Sequence, residues 1–598
     1  MRVMILGGYG VFGGRLAHLL ADRADLELLV CGRSREKAER FSAAFPGPAK
    51  VAPIAIDRSN LANRLSELAP DLVVDASGPF QNYGKNAYSV VEACITNRID
   101  YCDFADGADF VFGVSQYDEA ARAAGVFVLS GVSSFPVLTA AVVRELAREM
   151  DQVRTIRAGI APSPHAGIGL NVMRAVTGYA GSPVKLTRGG RLATGLGLAE
   201  SIHHTIAPPG RLPLRNIRFS LVDVPDLQVV PPDYPGLEEI WIGAGPVPEI
   251  LHRMLNLLAK ARARLNLPSI LPLAPLFYRV LNLMKFGEHR GGMFVEVTGT
   301  RDRSDVLRSW HMLAEGDDGP LIPSMAAEAI IRGCLEAKRP ETGARPATHA
   351  LELSDYDALF AKRTIVTGFR GPVETNAPLY RRILGSAFDD LSKEIRRFHD
   401  AKTPQLWSGR AIVERGRNPL ARFIGKVIGL PPAGNQVPVS VTVEQLPDGG
   451  ERWERCFGEK RFVSWQRPGI GRDIHLLRER FGPIDVAVAL VVEDGRLNYL
   501  PRRWSFFKVP MPRALRPADG TFETVADGRF RFDVTMRAPI VGLIGAYRGW
   551  LEPDAPTDLV ISGISRDVEN QPYHREPSHH ATDNRDLVVE ARDQIPGH

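Results

Sequence analysis

The chain has 598 residues, too many for one hydrophobic core and enough for three or four domains of usual size. With 44% hydrophobic and 24% charged residues and a net charge of +5, its composition is that of a folded globular protein; Lys and Arg are scattered among acids, which argues against nucleic-acid binding. Five widely spaced cysteines without a CxxC pair point to a reducing, cytoplasmic setting, the first residues carry no secretory leader, and no apolar run reaches the ~20 uncharged residues that cross a bilayer.

Residues 3–14, VMILGGYGVFGG, are an apolar strand that stops at Gly7, Gly10 and Gly13 and restarts as the helix RLAHLLADR. Glycines clustered before a helix N-terminus let backbone N–H groups approach a pyrophosphate. Gly7, Gly10, Val11, Phe12 and Gly13 are therefore candidate cofactor positions, although such spacing also serves turns made for packing alone. A second buried strand, LELLVCGR, ends at Arg33, twenty-six residues beyond Gly7. At that strand end an acid holds the ribose 2′-hydroxyl of NAD, whereas a guanidinium suits a 2′-phosphate. Arg33, with Ser34, points to NADP(H) in preference to NAD(H); the alternative is a solvated arginine capping a strand.

The alternation continues with helix 34–45, strand VAPIAID, helix NLANRLSELAP, strand DLVVDASG and helix NAYSVVEACITNR. It runs on through IDYCDFA, YDEAARAAG and VFVLSGV to the helix VLTAAVVRELAREM. Short Val- and Ile-rich strands between amphipathic helices indicate a parallel sheet covered on both faces, an α/β nucleotide domain over 1–150. Ligands then lie beyond the strands' carboxyl ends. This selects Asp57 near adenine, Ser77, Gly78 and Pro79 near the nicotinamide ribose, Asp103 after strand five, and Ser133 to Pro136 after strand six.

A hydride transfer asks the protein for orientation and a proton donor or charge stabiliser. Tyr83 follows the strand-four turn, and Lys85 stands two residues on, so a phenol and an ammonium are candidates there; loop packing and solvation are the alternatives. Asp103 is placed to orient ribose or substrate, or to cap the next helix. His165, in the loop APSPHAG, has an intrinsic pKa suited to proton transfer, or is an exposed loop histidine. His203 and His204 are adjacent and share no helix face, and no metal site is proposed. Ser133 and Ser134 lack His and acid partners for a hydrolase triad.

From about Gln152 the rhythm changes to strand-like runs (VRTIRAGIAP, IRFSLVDV, GGMFVEVTGTR) separated by Gly- and Pro-rich stretches, and a helix begins near Ser324. Residues 151–355 read as an α+β domain that covers the nicotinamide end, contacts substrate and forms a homodimer. Within it, 250–286 joins basic residues to dense Leu, Ile and Phe. That pattern suits a membrane interface or, more commonly, a helix pair packed in a core or dimer contact. After a helical stretch at 374–399, residues 378–555 read as mainly antiparallel β, with Asp448-Gly449, Asp494-Gly495 and Asp527-Gly528 as hairpin turns. Residues 565–598 lack apolar periodicity and read as a disordered tail.

The segments GGYGVFGG, CGRSREKAERF and VVDASGPFQNYGKNAYSVVEACITNRIDYCDFADG resemble the saccharopine dehydrogenase-like NAD(P)-dependent oxidoreductases, with that family's GPFxxYG followed by a DYxD segment. SGVSSFPVLTAAVVREL and GPLIPSMAAEAIIRG are also similar, so the resemblance covers roughly the first 350 residues. RFGPIDVAVALVVEDGRL, DGRFRFDV and AYRGWLEP resemble the uncharacterised domain DUF4166. The resemblance implies a Rossmann nucleotide domain and an NADP(H)-dependent reductase acting on a small molecule. Its relatives include dehydrogenases that form a secondary amine from an amino acid and an aldehyde, and enoyl reductases of lipid and polyketide pathways. No set of cations for several carboxylates is identifiable, and the fused β domain and the segment 250–286 lean the expectation toward a lipid-like or polyketide-like acceptor. The competing readings are the amine-forming dehydrogenase and a non-catalytic NAD(P)-sensing or lipid-binding protein. The expected location is cytoplasmic, with peripheral contact at the inner membrane face through 250–286.

Overall fold

Residues Arg2–Leu6 form the first strand, β1, and four of its five side chains are buried, as a strand flanked on both edges and covered on both faces requires. The computed structural model describes residues 1–554 except 59–60, 81–82, 168, 247–248, 284–286, 373–375, 401–403 and 519, and except the side chain of Lys85. The expected disordered tail, 565–598, lies outside the described residues.

After β1, helix and strand alternate: α1 (Val11–Leu19), β2 (Glu27–Gly32), α2 (Arg35–Ala43), β3 (Lys50–Ala55), α3 (Leu61–Leu68), β4 (Leu72–Asp75), α4 (Ser89–Thr96) and β5 (Asp100–Asp103). Then come α5 (Ala108–Gly113), α6 (Asp118–Ala124), β6 (Phe127–Ser130) and α7 (Thr139–Ala147). The strands pair in parallel in the order β6-β5-β4-β1-β2-β3. The chain leaves β1 toward β2 and β3 and returns to β4 on its other edge, so the order reverses between β1 and β4. A crevice opens there beyond Leu6 and Asp75, where such sheets take their ligands.

Two details depart from the sequence reading. The first helix begins at Val11, immediately after the glycines, rather than at Arg15. The sheet also gains a seventh strand from far along the chain, Gly343–Pro346, parallel to β6. The helix before it, Ile322–Leu335, lies against α1, and its Arg332 donates to the Leu19 carbonyl (2.9 Å) and to Asp22 (2.7 Å). A four-residue strand has too few positions to show periodicity, so that pairing is decided by the docking of the helix.

A second, nine-stranded mixed sheet centres on Gln152–Ala161, which pairs antiparallel with Gly291–Arg301 and parallel with Glu239–Ala244. Gly291–Arg301 continues into Ser304–Ala314 and then Ile365–Arg370. The Gly- and Pro-rich stretch after Ala161, to which no element was assigned, contains the helix Leu170–Tyr179 and the hairpin Pro183–Arg188 with Arg191–Leu196.

The segment 250–286 corrects the expectation of helices packed into the core. Its first helix, Glu249–Leu265, buries a polar and small stripe, His252, Asn256 and Ala259. His252 Nε2 lies 2.8 Å from Ser220 Oγ, and Asn256 Nδ2 donates to that oxygen (2.9 Å) and to the Leu198 carbonyl (2.8 Å). The apolar stripe Ile250, Met254, Leu257, Leu258 and Leu265 is exposed instead. A second helix, Ala274–Leu283, continues this face with exposed Leu276 and Leu283. Residues 284–286 of the segment lie outside the described residues.

Beyond the short helices Leu379–Leu384 and Lys393–His399, eleven strands among the described residues, from Gln405–Arg415 to Gly542–Pro553, run antiparallel, and all but the two-residue Val509–Pro510 belong to one ring. The first pairs with the last, and Ile484–Glu493 pairs with Arg496–Phe506, so the sheet closes into a barrel. The expected turns carry it: Asp494, Gly495, Asp527 and Gly528 all have positive φ. Inside is a cavity of about 480 Å³.

Candidate functional site

The crevice between β1 and β4 is shaped by backbone. Gly7 has φ +73°, and a Cβ there would stand 2.7 Å from the Ala76 carbonyl oxygen, so only glycine fits. The Gly10 N–H donates to the Gly7 carbonyl (2.8 Å), and Gly10 is the N-cap of α1 with no side-chain cap. A Cβ on Gly13 would lie 2.5 Å from the Gly7 oxygen. The first amides of α1, on Val11, Phe12 and Gly13, therefore face the turn with no intrahelical acceptor, which is a phosphate-binding arrangement.

Tyr9, within the glycine cluster, was missed by sequence reasoning. Its ring fills the space a side chain on Gly32 would need, and its hydroxyl accepts from the Ser34 N–H (3.0 Å). The glycine turn is thus tied to the end of β2. Ser34 spends its hydroxyl as the N-cap of α2, accepting from the Lys37 N–H (3.3 Å). Arg33 is exposed beside it and has no hydrogen bond or ion pair among the described residues. Asp57 is exposed one residue after Ile56, whose N–H bonds to the Gly32 carbonyl (3.0 Å).

At the end of β4 the expected turn is held by a buried network. Asp75, fully buried, accepts from Arg58 Nη1 (2.5 Å), the Ser77 N–H (3.0 Å) and Ser77 Oγ (2.5 Å). Ser77 Oγ lies 3.0 Å from the Tyr83 hydroxyl, and the Arg58 guanidinium sits 3.7 Å from the centroid of the Tyr83 ring. Burial, reinforced by the Asp75 carboxylate, pushes the Tyr83 phenol up to about 12. It is a proton holder and hydrogen-bond donor at neutral pH. The 3-10 turn Gly84–Asn86 carries Lys85, whose side chain lies outside the described residues.

The second domain reaches this crevice through the start of the helix Leu170–Tyr179. Asn171 Nδ2 donates to the Gly78 carbonyl (3.2 Å), which also fixes the turn into Pro79, and a Cβ on Gly169 would touch Val11 at 3.6 Å. Phe12 stacks on Phe104 at 6.0 Å, and its carbonyl accepts from Ser324 (3.2 Å). His165 belongs to the loop leading into that helix, with its ring stacked on His289 at 3.6 Å.

Asp103 takes a different place from the one expected. It is fully buried, and one carboxylate oxygen accepts from the N–H groups of Ala105 (2.9 Å) and Gly131 (2.8 Å) and from Ser130 Oγ (3.1 Å). Its other oxygen has no partner, and burial pushes the carboxyl up to about 7. It joins the ends of β5 and β6 beneath the site, and α5 is capped by Gly107 instead.

The geometry therefore gathers the glycine turn, Ser77 to Pro79, Tyr83 and the start of the helix Leu170–Tyr179 at one crevice. Arg58 and Asp75 were missed because they meet only in space; the one available signal was an acid closing the apolar run LVVD.

Residues 3–129 match the family model of the saccharopine dehydrogenase NADP binding domain. Residues 391–551 match that of a domain of unknown function, DUF4166. The NADP-binding domain identifies the N-terminal part as the nucleotide domain of an NAD(P)-dependent oxidoreductase. No curated protein matches the chain significantly. Among solved structures, a probable dehydrogenase from Thermotoga maritima is 11% identical, covering 61% of this chain and 98% of its own, at a TM-score of 0.30. A biliverdin reductase from Synechocystis sp. PCC 6803, in complex with biliverdin and NADP+, is 14% identical over 57% of this chain and 92% of its own, at 0.27. An engineered D-amino acid dehydrogenase bound to NADP+ is 15% identical over 60% and 98%, at 0.31. Scores this low do not establish a common overall fold.

Proposed function

We propose that this chain is an NADP(H)-dependent reductase that delivers a hydride to a lipid-like or polyketide-like acceptor. The observation that carries the cofactor preference is Arg33, a guanidinium exposed and unpaired at the end of β2, where an acid would select NAD. On this reading Gly7, Gly10, Val11, Phe12 and Gly13 hold the pyrophosphate, Arg33 and Ser34 the 2′-phosphate, Asp57 borders the adenine, and Ser77, Gly78 and Pro79 border the nicotinamide ribose. A bound reduced nicotinamide supplies the hydride. The chain's part is orientation and protons: Tyr83 donates a hydrogen bond to the charge developing on the acceptor, and Arg58 over its ring stabilises the phenolate when the proton leaves. Lys85 and His165 are the further proton carriers of the surrounding loops. Residues 1–150, 151–355 and 378–555 are read as nucleotide, substrate and β domains.

The exposed apolar stripe of the helix Glu249–Leu265 supports the lipid-like acceptor. With exposed Lys260 and Arg264 beside it, the stripe has the make-up of a segment lying in a membrane interface. The helix Ala274–Leu283 packs against Leu170–Tyr179, whose first residues border the crevice. No helix among the described residues is long and apolar enough to cross a membrane. The same stripe would serve a homodimer contact; liposome co-sedimentation lost in Leu257→Asp, with an unchanged mass in solution, decides for the membrane.

The test of the cofactor assignment is a titration of wild type and Arg33→Ala with NADPH and NADH, followed by nicotinamide fluorescence. Loss of a charge-assisted pair worth ~1.5–3 kcal/mol weakens NADPH roughly ten- to hundred-fold and leaves NADH nearly unchanged. Equal loss for both nucleotides removes the 2′-phosphate role, and binding of neither removes the oxidoreductase reading.

A further inference from the structure

Period-two alternation turns Trp453, Arg455, Ser464, Gln466 and Glu479 toward the inside of three adjacent barrel strands, Glu451–Phe457, Lys460–Pro468 and Leu477–Phe481. Arg455 Nη1 donates to Ser464 Oγ (2.8 Å), and Nη2 reaches Glu479 Oε1 at 3.4 Å. The same Glu479 oxygen accepts from Ser464 Oγ (2.8 Å) and Gln466 Nε2 (3.2 Å). The guanidinium lies 4.7 Å from the centroid of the Trp453 ring. Both charged side chains line the cavity and keep 12% and 20% exposure, which opens into it.

The other charged residues of the lining are Glu523 and Arg537. Glu523 is held from below by His399 Nε2 (2.6 Å) and the Tyr499 hydroxyl (2.8 Å), and Arg537 is exposed at the rim. The rest of the wall is dominated by side chains such as Val441, Phe462, Val486, Phe532, Val534 and Met536. A volume of about 480 Å³ falls within the ~300–1,000 Å³ of small-molecule pockets.

This interior is largely apolar; its one buried cation, Arg455, is paired with Glu479, and Glu523 adds a second acid bonded to His399 and Tyr499. An ionised head group would meet the Glu479 carboxylate together with the Arg455 cation. A neutral oxygen group meets a donor in Arg455 and an acceptor in Glu479, with no net charge brought out of water.

We propose that the barrel is a binding site for a neutral long-chain lipid of the fatty alcohol, aldehyde or ester class, with its hydrocarbon in the cavity and its oxygen on Arg455 and Glu479. The site belongs to the DUF4166 part of the chain and does not depend on turnover at the dinucleotide crevice.

The experiment uses the full chain stripped of endogenous lipid, with Nile red as the reporter displaced by hexadecan-1-ol or by palmitate at pH 8. NADPH binding is read separately on the same samples. Circular dichroism and thermal unfolding report folding of each variant, and failure of NADPH binding would count against the reductase reading alone. The expected result is one hexadecanol per chain by native mass spectrometry, bound at least about tenfold more tightly than palmitate. Val486→Trp and Val534→Trp, which place an indole in the cavity, weaken hexadecanol about tenfold or more while NADPH binding is kept. Glu479→Gln leaves the cation unbalanced and raises palmitate affinity about tenfold. The proposal is overturned if wild type binds no hexadecanol, if palmitate binds as tightly as the alcohol, or if both tryptophan variants are folded and bind hexadecanol as wild type does.

Discussion

Gly13→Ala adds a single methyl group at the most crowded point of the glycine turn. Its Cβ would lie 2.5 Å from the Gly7 carbonyl oxygen and 3.0 Å from both Gly7 C and Gly8 Cα, all backbone atoms, where ordinary contact begins at 3.4 Å. Helix and turn must therefore separate by about 0.9 Å, at an overpacking cost of ~1–3 kcal/mol. Alanine returns about 1 kcal/mol of helix propensity, so the net loss of stability is about 2 kcal/mol or less. The larger effect falls on the ligand, because a hydrogen bond to a charged group is worth ~1.5–3 kcal/mol, and losing one weakens NADPH roughly ten- to hundred-fold. Gly14→Ala is the control on the same helix: its nearest neighbours would be Phe41 Cε2 at 3.4 Å and the Gly8 oxygen at 3.6 Å, so nothing has to move. Calorimetric titration with NADPH beside thermal unfolding measures both effects. Gly14→Ala should bind within about twofold of wild type and melt no lower. If Gly13→Ala also binds like wild type, or the two variants lose affinity equally, the turn does not hold the pyrophosphate.

Asp103 is the clearest source of pH dependence. Its carboxyl is raised from the ordinary 3.8 to about 7 chiefly by burial, so the folded state binds a proton that the unfolded state releases, and its contribution is fully present below about pH 4 and lost as pH rises toward 7, about 4 kcal/mol in all. Asp103→Asn keeps the acceptor for Ala105, Ser130 and Gly131, and urea unfolding between pH 4.5 and 8 should show it losing less stability than wild type; parallel pH curves would refute this. Arg58→Ala strands Asp75, whose side chain is 0% exposed against 18% for Arg58, and should cost ~3–5 kcal/mol in chemical denaturation, with Arg58→Lys between it and wild type. Asn171→Ala removes the bond to the Gly78 carbonyl and should weaken NADPH about two- to tenfold with little change in melting temperature; unchanged affinity would mean that this contact does not close the crevice.

The nucleotide domain was readable because its signals are local. An apolar run that stops at glycines and strands spaced by amphipathic helices admit few arrangements, and β1 to β6 formed as those runs indicated. The hairpins turning at Asp494-Gly495 and Asp527-Gly528 were legible for the same reason, since the turn residues carry their own backbone requirement. The candidate site was legible as far as backbone and chain order specify it: the glycine turn, Arg33 and the loop after β4. Its charged interior was not, because Arg58 and Asp75 are seventeen residues apart and meet only when β3 and β4 flank β1 and β2.

The helix Glu249–Leu265 shows the same limit in packing. Periodicity reveals that one face is apolar, but the partners Ser220 and Leu198 decide that the polar face turns inward. Barrel closure is likewise a tertiary event, because Gln405–Arg415 pairs with Gly542–Pro553 across more than a hundred intervening residues. Alternation within each strand determined which side chains share a face. Only closure of the sheet made that face an interior, with Arg455 and Glu479 brought together in a largely apolar cavity.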